Sequence, residues 1–136
     1  MALDVPEPVA EYLAAEEVKD ADALSRCFTE DGTVHDEGQD YYGRDSIRQW
    51  KQAADAKYQY VLRTVNVQTL GDLVTVRARL TGKFPGSPVE LDHIFKLSKA
   101  TARALRKASG HSRSILVFGV RSDLLARFLR ADWVAG

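Results

Sequence analysis

The order of local patterns in this chain predicts an α+β domain: N-terminal helices packed on a strongly curved, mixed or antiparallel sheet, together forming a cone. Apolar residues recur at helical spacing up to Tyr58, and strand alternation takes over from Tyr60 to Leu97. One short strand, Thr33 to His35, interrupts the helical part and ends on Asp36. Such an order sets a carboxylate at the mouth of the cone. A chain of 136 residues is long enough for one domain with a real core and too short for two.

Pro6 and Pro8 fall where a first helical turn tolerates proline. Val9, Tyr12, Leu13 and Val18 follow at roughly helical spacing, with Glu7, Glu11, Glu16 and Glu17 mostly on the other face. Asp20-Ala21-Asp22 breaks that helix and caps the next, Ala23 to Phe28. Thr29-Glu30-Asp31-Gly32 reads as a turn, and Gly38 to Gly43 as a tight connection carrying Tyr41 and Tyr42. A third helix starts near Asp45 or Ser46 and lines up Ile47, Trp50, Ala54 and Tyr58. Three strands follow, Tyr60 to Thr69, Leu73 to Thr81 and Val89 to Leu97, with turns at Gly71-Asp72 and Pro85-Gly86-Ser87-Pro88. In the last strand Val89, Leu91, His93, Phe95 and Leu97 share one side.

Composition bounds the function. Hydrophobic residues make up 45% and charged residues 28%, the balance of a soluble folded protein. Charge is unevenly spread: residues 1–98 carry 11 Lys/Arg against 17 Asp/Glu, and residues 99–136 carry 8 against 2. The basic end reads as a solvated helix face, since the chain as a whole is neutral and only Phe118, Phe128 and Trp133 there could stack on bases. No nucleic-acid partner is expected. Cys27 is the single cysteine, so a reducing compartment fits, and its helical neighbours make it a small buried hydrophobe. No basic segment followed by an apolar run opens the chain, and Ile115 to Val120 is too short to span a bilayer, so the expected location is cytoplasmic, away from membranes.

From Tyr12 to Leu97 the chain resembles the nuclear transport factor 2-like superfamily, in particular its SnoaL-like and ketosteroid-isomerase-like members. The resemblance rests on Asp20-Ala21-Asp22-Ala23-Leu24, on Phe28-Thr29-Glu30-Asp31-Gly32-Thr33-Val34-His35-Asp36, on Gly43-Arg44-Asp45-Ser46-Ile47, and on Val89 to Leu97. It implies a SnoaL-like domain over residues 1–98. Residues 99–136 are then an atypical basic segment that reads as a strand, Ser114 to Val120, followed by an amphipathic helix from Ser122. The Asp-Gly turn and last strand that the resemblance calls for directly after Leu97 are not recognisable. One account is a shifted reading frame, because codons allowed for Lys-Ala-Thr-Ala-Arg can spell Gly-Asp-Gly-Lys in another frame.

The resemblance also implies chemistry. In ketosteroid isomerases an Asp after the first strand carries a proton and a Tyr of the first helix stabilises the enolate oxygen, a case the physical chemistry of shifted carboxylates explains well. Asp36 and Tyr12 stand at those positions here. The family's third group, a protonated Asp on the strand that holds His93, is replaced by Phe95. His93, on the same face, is the candidate substitute donor or base. Trp50, Tyr42, Phe95 and Leu91 are the expected ligand-contacting residues. Adjacent His35, Asp36 and Glu37 point in alternating directions, so no metal is expected, and no phosphate-binding or dinucleotide motif calls for a cofactor.

Two functions fit. One is a cofactor-independent isomerase, cyclase or dehydratase acting on a small hydrophobic carbonyl compound, and the reading leans this way. The other is a non-catalytic ligand-binding or dimerisation module. The resemblance implies a homodimer, since relatives of this fold commonly pair through the face of the long strands, which would otherwise leave apolar residues uncovered; the alternative cover for that face is the amphipathic helix at Ser122 to Val134.

Overall fold

A computed structural model describes residues 5–98 and 114–121. Three helices precede most of the sheet: α1 (Glu7–Glu17), α2 (Ala21–Arg26) and α3 (Gly43–Tyr58). The strands are β1 (Phe28–Asp36), β2 (Gln39–Tyr42), β3 (Val61–Leu70), β4 (Leu73–Thr81), β5 (Val89–Leu97) and β6 (Ile115–Arg121). They form one open six-stranded sheet in the order β2-β1-β6-β5-β4-β3, with β1 and β6 parallel and every other pair antiparallel. This is the expected mixed sheet with helices on its concave side.

Local chemistry sets most boundaries. Asp20 Oδ1 accepts a 3.0 Å bond from the Ala23 backbone N–H and caps α2, satisfying one of the donors that a helix start leaves open. Helix α2 stops at Arg26, so Phe28 opens β1 instead of closing the helix. The expected turn at residues 29–32 is a bulge inside β1: the pairing with β6 jumps from Phe28–Ile115 to Thr33–Val117. Arg44 holds the bulge by donating from Nε and Nη2 to the Phe28 carbonyl, at 3.1 and 2.8 Å. Gly32 belongs there for steric reasons, since a Cβ would lie 2.9 Å from Phe28 Cβ. Gly82 is similarly confined after β4, where a Cβ would fall 2.7 Å from Tyr60 Cα.

The core lies between the helices and the concave face. Val9 and Tyr12 of α1, Leu24 of α2 and Ile47 and Trp50 of α3 meet Val74, Val76, Phe95, Leu97, Ile115 and Phe118 from the sheet. Tyr12 is central, with its ring 5.0 Å from Phe95 and 5.2 Å from Phe118. Aromatic pairs of this kind contribute about 0.5–1.5 kcal/mol each beyond the area they bury.

Two helix-face expectations change. Val18 lies past the end of α1 and is 71% exposed, whereas Glu16 is buried. Glu16 turns inward because an ammonium and a phenol from other elements await it, as described below. The strand missing directly after Leu97 is β6, one residue on from the expected start at Ser114, and it sits in mid-sheet between β1 and β5. The segment 99–113 and the helix expected from Ser122 lie outside the described residues. Among the described residues, no helix is long and apolar enough to cross a membrane.

Candidate functional site

The concave face leaves a cavity of about 310 Å³ between α1, α3, the β4–β5 connection and the sheet. That is near the lower end of the range for small-molecule pockets, about 300–1,000 Å³. Its walls are largely apolar: Trp50, Ala54 and Tyr58 from α3, Leu80, Phe84, Val89 and Leu91 around the β4–β5 connection, and Phe118 and Val120 from β6. Polar groups enter at few points. Tyr12 and Glu16 project from α1, Asp36 and Glu37 come from the end of β1, and His93 comes from β5.

Asp36 is the last residue of β1, and Trp50 Nε1 donates to its Oδ2 at 3.0 Å. Burial pushes its carboxyl up to about 6, and the neighbouring Glu37 charge adds to that rise. The Trp50 bond and the Lys51 ammonium restrain it. A carboxyl so placed takes and returns protons near neutral pH. The Tyr12 phenol is driven well above its ordinary range, first by burial and then by Glu16, Tyr60 and Asp36. It therefore stays a hydrogen-bond donor at any ordinary pH. His93 is pushed down to about 4 by burial and by Lys51, and so is neutral.

At the inner end a buried ionic cluster ties α1, α3 and the start of β3. Lys51 is fully buried, and its ammonium donates to Glu16, to Asp55 Oδ1 at 2.5 Å and to the Tyr60 hydroxyl at 2.6 Å. Tyr60 in turn donates to Glu16 Oε1 at 2.7 Å. Lys19 completes the cluster through Glu16 Oε2 at 3.3 Å and the Tyr60 carbonyl at 2.7 Å. Two carboxylates and two ammoniums balance, which lets the charges remain buried. At the rim, Tyr58 donates its hydroxyl to Glu37 and sets its ring edge-on to Phe84 at 6.0 Å.

Of the residues singled out from sequence, Tyr12, Asp36, His93, Trp50 and Leu91 come together around this cavity. Two do not. Phe95 is fully buried beneath it, packed on Tyr12 and Phe118. Tyr42 is 65% exposed and donates to Asp40 Oδ2 at 3.1 Å. Strand alternation explains Tyr42: Tyr41 pairs with inward-facing Val34 and reaches Trp50, so its neighbour points outward. Sequence reasoning missed Glu16, Tyr60, Lys51 and Phe118. The spacing of four residues from Tyr12 to Glu16, which places both on one helix face, was the available signal for the first.

Burial pushes the Cys27 thiol up to about 11, which suits a packing role and not a nucleophile. Among the described residues, no group of three His, Cys, Asp or Glu stands together as a metal site.

Comparison with known proteins places this architecture. A model of the SnoaL-like domain matches residues 9–127. A solved structure from Sinorhizobium meliloti, provisionally assigned as a polyketide cyclase, is 33% identical over 87% of this chain and 96% of its own, with a TM-score of 0.72. A protein of ketosteroid isomerase-like fold from Catenulispora acidiphila, solved with trimethylamine, is 27% identical over 96% of this chain and 98% of its own, with a TM-score of 0.65. An NTF2-like protein of unknown function from Cytophaga hutchinsonii shares the fold at 12% identity, covering 95% of this chain and 98% of its own, with a TM-score of 0.63. A comparison with curated proteins gives no match. The chain belongs to the SnoaL-like family of the nuclear transport factor 2-like superfamily.

Proposed function

We propose that this protein is a cofactor-independent enzyme that moves a proton on a small hydrophobic carbonyl compound held in the cavity. The observation that carries the reading is that Asp36, with its carboxyl raised to about 6, and Tyr12, a phenol that stays protonated, line one mostly apolar cavity. Ionised Asp36 takes a proton from the carbon next to the carbonyl, while the Tyr12 hydroxyl donates to the oxygen on which negative charge develops. Returning the proton at another carbon gives isomerisation. Attack of the enolate carbon on a second carbonyl of the same molecule, with Asp36 giving its proton to the new alkoxide, yields cyclisation. Breaking the bond to a hydroxyl one carbon further on, with Asp36 giving that hydroxyl its proton so that it leaves as water, yields dehydration. The likeness to the Sinorhizobium protein supports this choice of reactions.

The test is deuterium uptake from heavy water by a panel of one- and two-ring ketones, followed by proton NMR. Wild type is expected to catalyse exchange next to the carbonyl, and Asp36→Asn to lose it by about 10²–10⁴-fold. Binding of a phenol, which mimics the enolate, is expected to survive that substitution. No exchange with any ketone, together with intact phenol binding, would favour the second reading, a non-catalytic binding module. That alternative draws on Phe95, which stands where relatives of the isomerase type hold an acid.

We also propose a homodimer built on the sheet. Among the described residues, Val61, Val65, Leu70 and Leu73 are all exposed around β3 and its turn, Leu70 by 81%, and β3 is an edge strand of the sheet. Sedimentation equilibrium is expected to give twice the chain mass. A monomer at all concentrations up to about 100 μM, that is an association free energy weaker than about −5.5 kcal/mol, would reject it.

A further inference from the structure

We propose that the inner end of the cavity, formed by Glu16 and Tyr60, accepts a hydrogen bond from a hydroxyl on the substrate, so that the protein selects hydroxylated carbonyl compounds. The inference rests on the proton-transfer reading only in taking this cavity as the substrate site, and it adds what the far end of the molecule must carry.

Asp36 and Tyr12 act on the carbonyl and its neighbouring carbon. Glu16 and Tyr60 line the same cavity and have no part in that step. Both are deeply buried, at 2% and 8% exposed. Buried polar groups cost free energy unless their hydrogen bonds are met, so their open donors and acceptors decide what a ligand beside them can be.

Only acceptors remain open at this end. Tyr60 gives its hydroxyl proton to Glu16 Oε1 at 2.7 Å and accepts from Lys51 at 2.6 Å, which leaves a lone pair on its oxygen. Burial, and after it the Glu16 charge, keep that phenol protonated. Glu16 accepts from Tyr60 on Oε1 and from Lys51 and Lys19 on Oε2. A carboxylate offers about four acceptor sites, so room is left on Oε1. Lys51 spends its ammonium protons on Glu16, Asp55 and Tyr60 and has none for a ligand. Among the described residues, no Lys or Arg lines the cavity. A ligand carbonyl or ether oxygen at this end would face lone pairs, and a methyl group would leave them unused. A donor uses them.

Charge then selects among donors. Glu16 and Asp55 are balanced by Lys51 and Lys19, so the inner end carries no surplus negative charge. A ligand ammonium would lose its hydration next to Lys51 with no free carboxylate to compensate it. A hydroxyl brings a proton without a charge. Tyr12 and Glu16 stand one helical turn apart on α1, their Cβ atoms about 5–6 Å from each other, so carbonyl and hydroxyl fit on one small molecule.

The experiment uses the full-length protein and three ketones of nearly equal size: 4-(hydroxymethyl)acetophenone, 4-ethylacetophenone and 4-(aminomethyl)acetophenone. Calorimetric titration is expected to show the hydroxymethyl ketone binding about ten- to hundredfold more tightly than the ethyl ketone, the return from one hydrogen bond to a charged group. The aminomethyl ketone, a cation at neutral pH, should bind no better than the ethyl ketone. In Glu16→Gln, whose amide can turn a donor toward the cavity, the hydroxyl advantage should fall to within about threefold. NMR on the wild type locates the ligand without any variant: nuclear Overhauser contacts are expected from the hydroxymethyl protons to the Tyr60 ring and from the acetyl methyl to the Trp50 indole. Equal binding of the hydroxymethyl and ethyl ketones, tightest binding of the aminomethyl ketone, an unchanged advantage in folded Glu16→Gln, or contacts in the reverse sense would each overturn the inference. Deuterium exchange at the acetyl methyl together with equal binding would remove the inference and leave the proton-transfer reading standing. A hydroxyl preference with the expected contacts but no exchange would do the opposite. Binding of none of the three would reject both.

Discussion

Replacing Asp36 by Asn is expected to raise the melting temperature at about pH 8 and to leave it unchanged at about pH 4. The carboxyl ionises at about 6 in the folded protein against an ordinary value of 3.8. Between those values the native state holds the proton more tightly than the unfolded chain. Wild type therefore loses stability as pH climbs from about 4 to about 6 and stays at the lower level above that. Below the unfolded value both states are protonated, and the penalty is absent. Two pKa units correspond to a ceiling of about 3 kcal/mol, which the residual exposure of Asp36 lowers. Asn is never charged and keeps an oxygen for Trp50 Nε1, so it escapes the penalty and retains the bond. Thermal melts of both proteins across this range provide the check. A difference that does not change with pH would mean that Asp36 ionises in the folded state as it does in water, and the site would lose its acid and base.

The same carboxylate shows why part of this protein is readable from sequence and part is not. The α3 stripe of Ile47, Trp50, Ala54 and Tyr58 and the β5 side bearing Leu91, His93 and Leu97 are periodic signals within one element, and both hold in the structure. Asp36 sits where the strand ends, so its place at the mouth also follows from local order. Features that depend on a distant partner do not. The bulge in β1 is fixed by Arg44, and without that donor Thr29-Glu30-Asp31-Gly32 is indistinguishable from a turn. Glu16 reads as a surface residue because its partners Lys51 and Tyr60 lie 35 and 44 positions away. Tyr41 and Tyr42 look equivalent until the register with Val34 and Thr33 assigns one to each face. Phe118 enters the cavity only because β6 lies between β1 and β5 after a segment with no strand pattern.

Lys51→Met is expected to be among the most damaging single substitutions, at about 3–5 kcal/mol, because it removes the central cation from a buried cluster. Met fills most of the aliphatic stem, so the loss reports on charge more than on volume. Glu16 and Asp55 are then left with Lys19, whose side chain is 37% exposed. A domain of this size has only about 5–15 kcal/mol to lose, so urea unfolding should show a large fall in midpoint. Adding Glu16→Gln to Lys51→Met should restore part of the stability, with a coupling of about 0.5–3 kcal/mol in a double-mutant cycle. The cluster also acts on the site at a distance. The Lys51 charge lowers both the Asp36 and the His93 pKa. Its removal should therefore shift both upward, moving the onset of proton transfer to higher pH and allowing His93 to charge more readily. Titration of His93 by NMR in Lys51→Met checks that direction, provided the variant folds at low temperature. A stability loss below about 1 kcal/mol would put the cluster on a par with ordinary surface pairs and remove the reason for its burial. A large loss with an unmoved His93 would confine Lys51 to holding α1, α3 and β3 together.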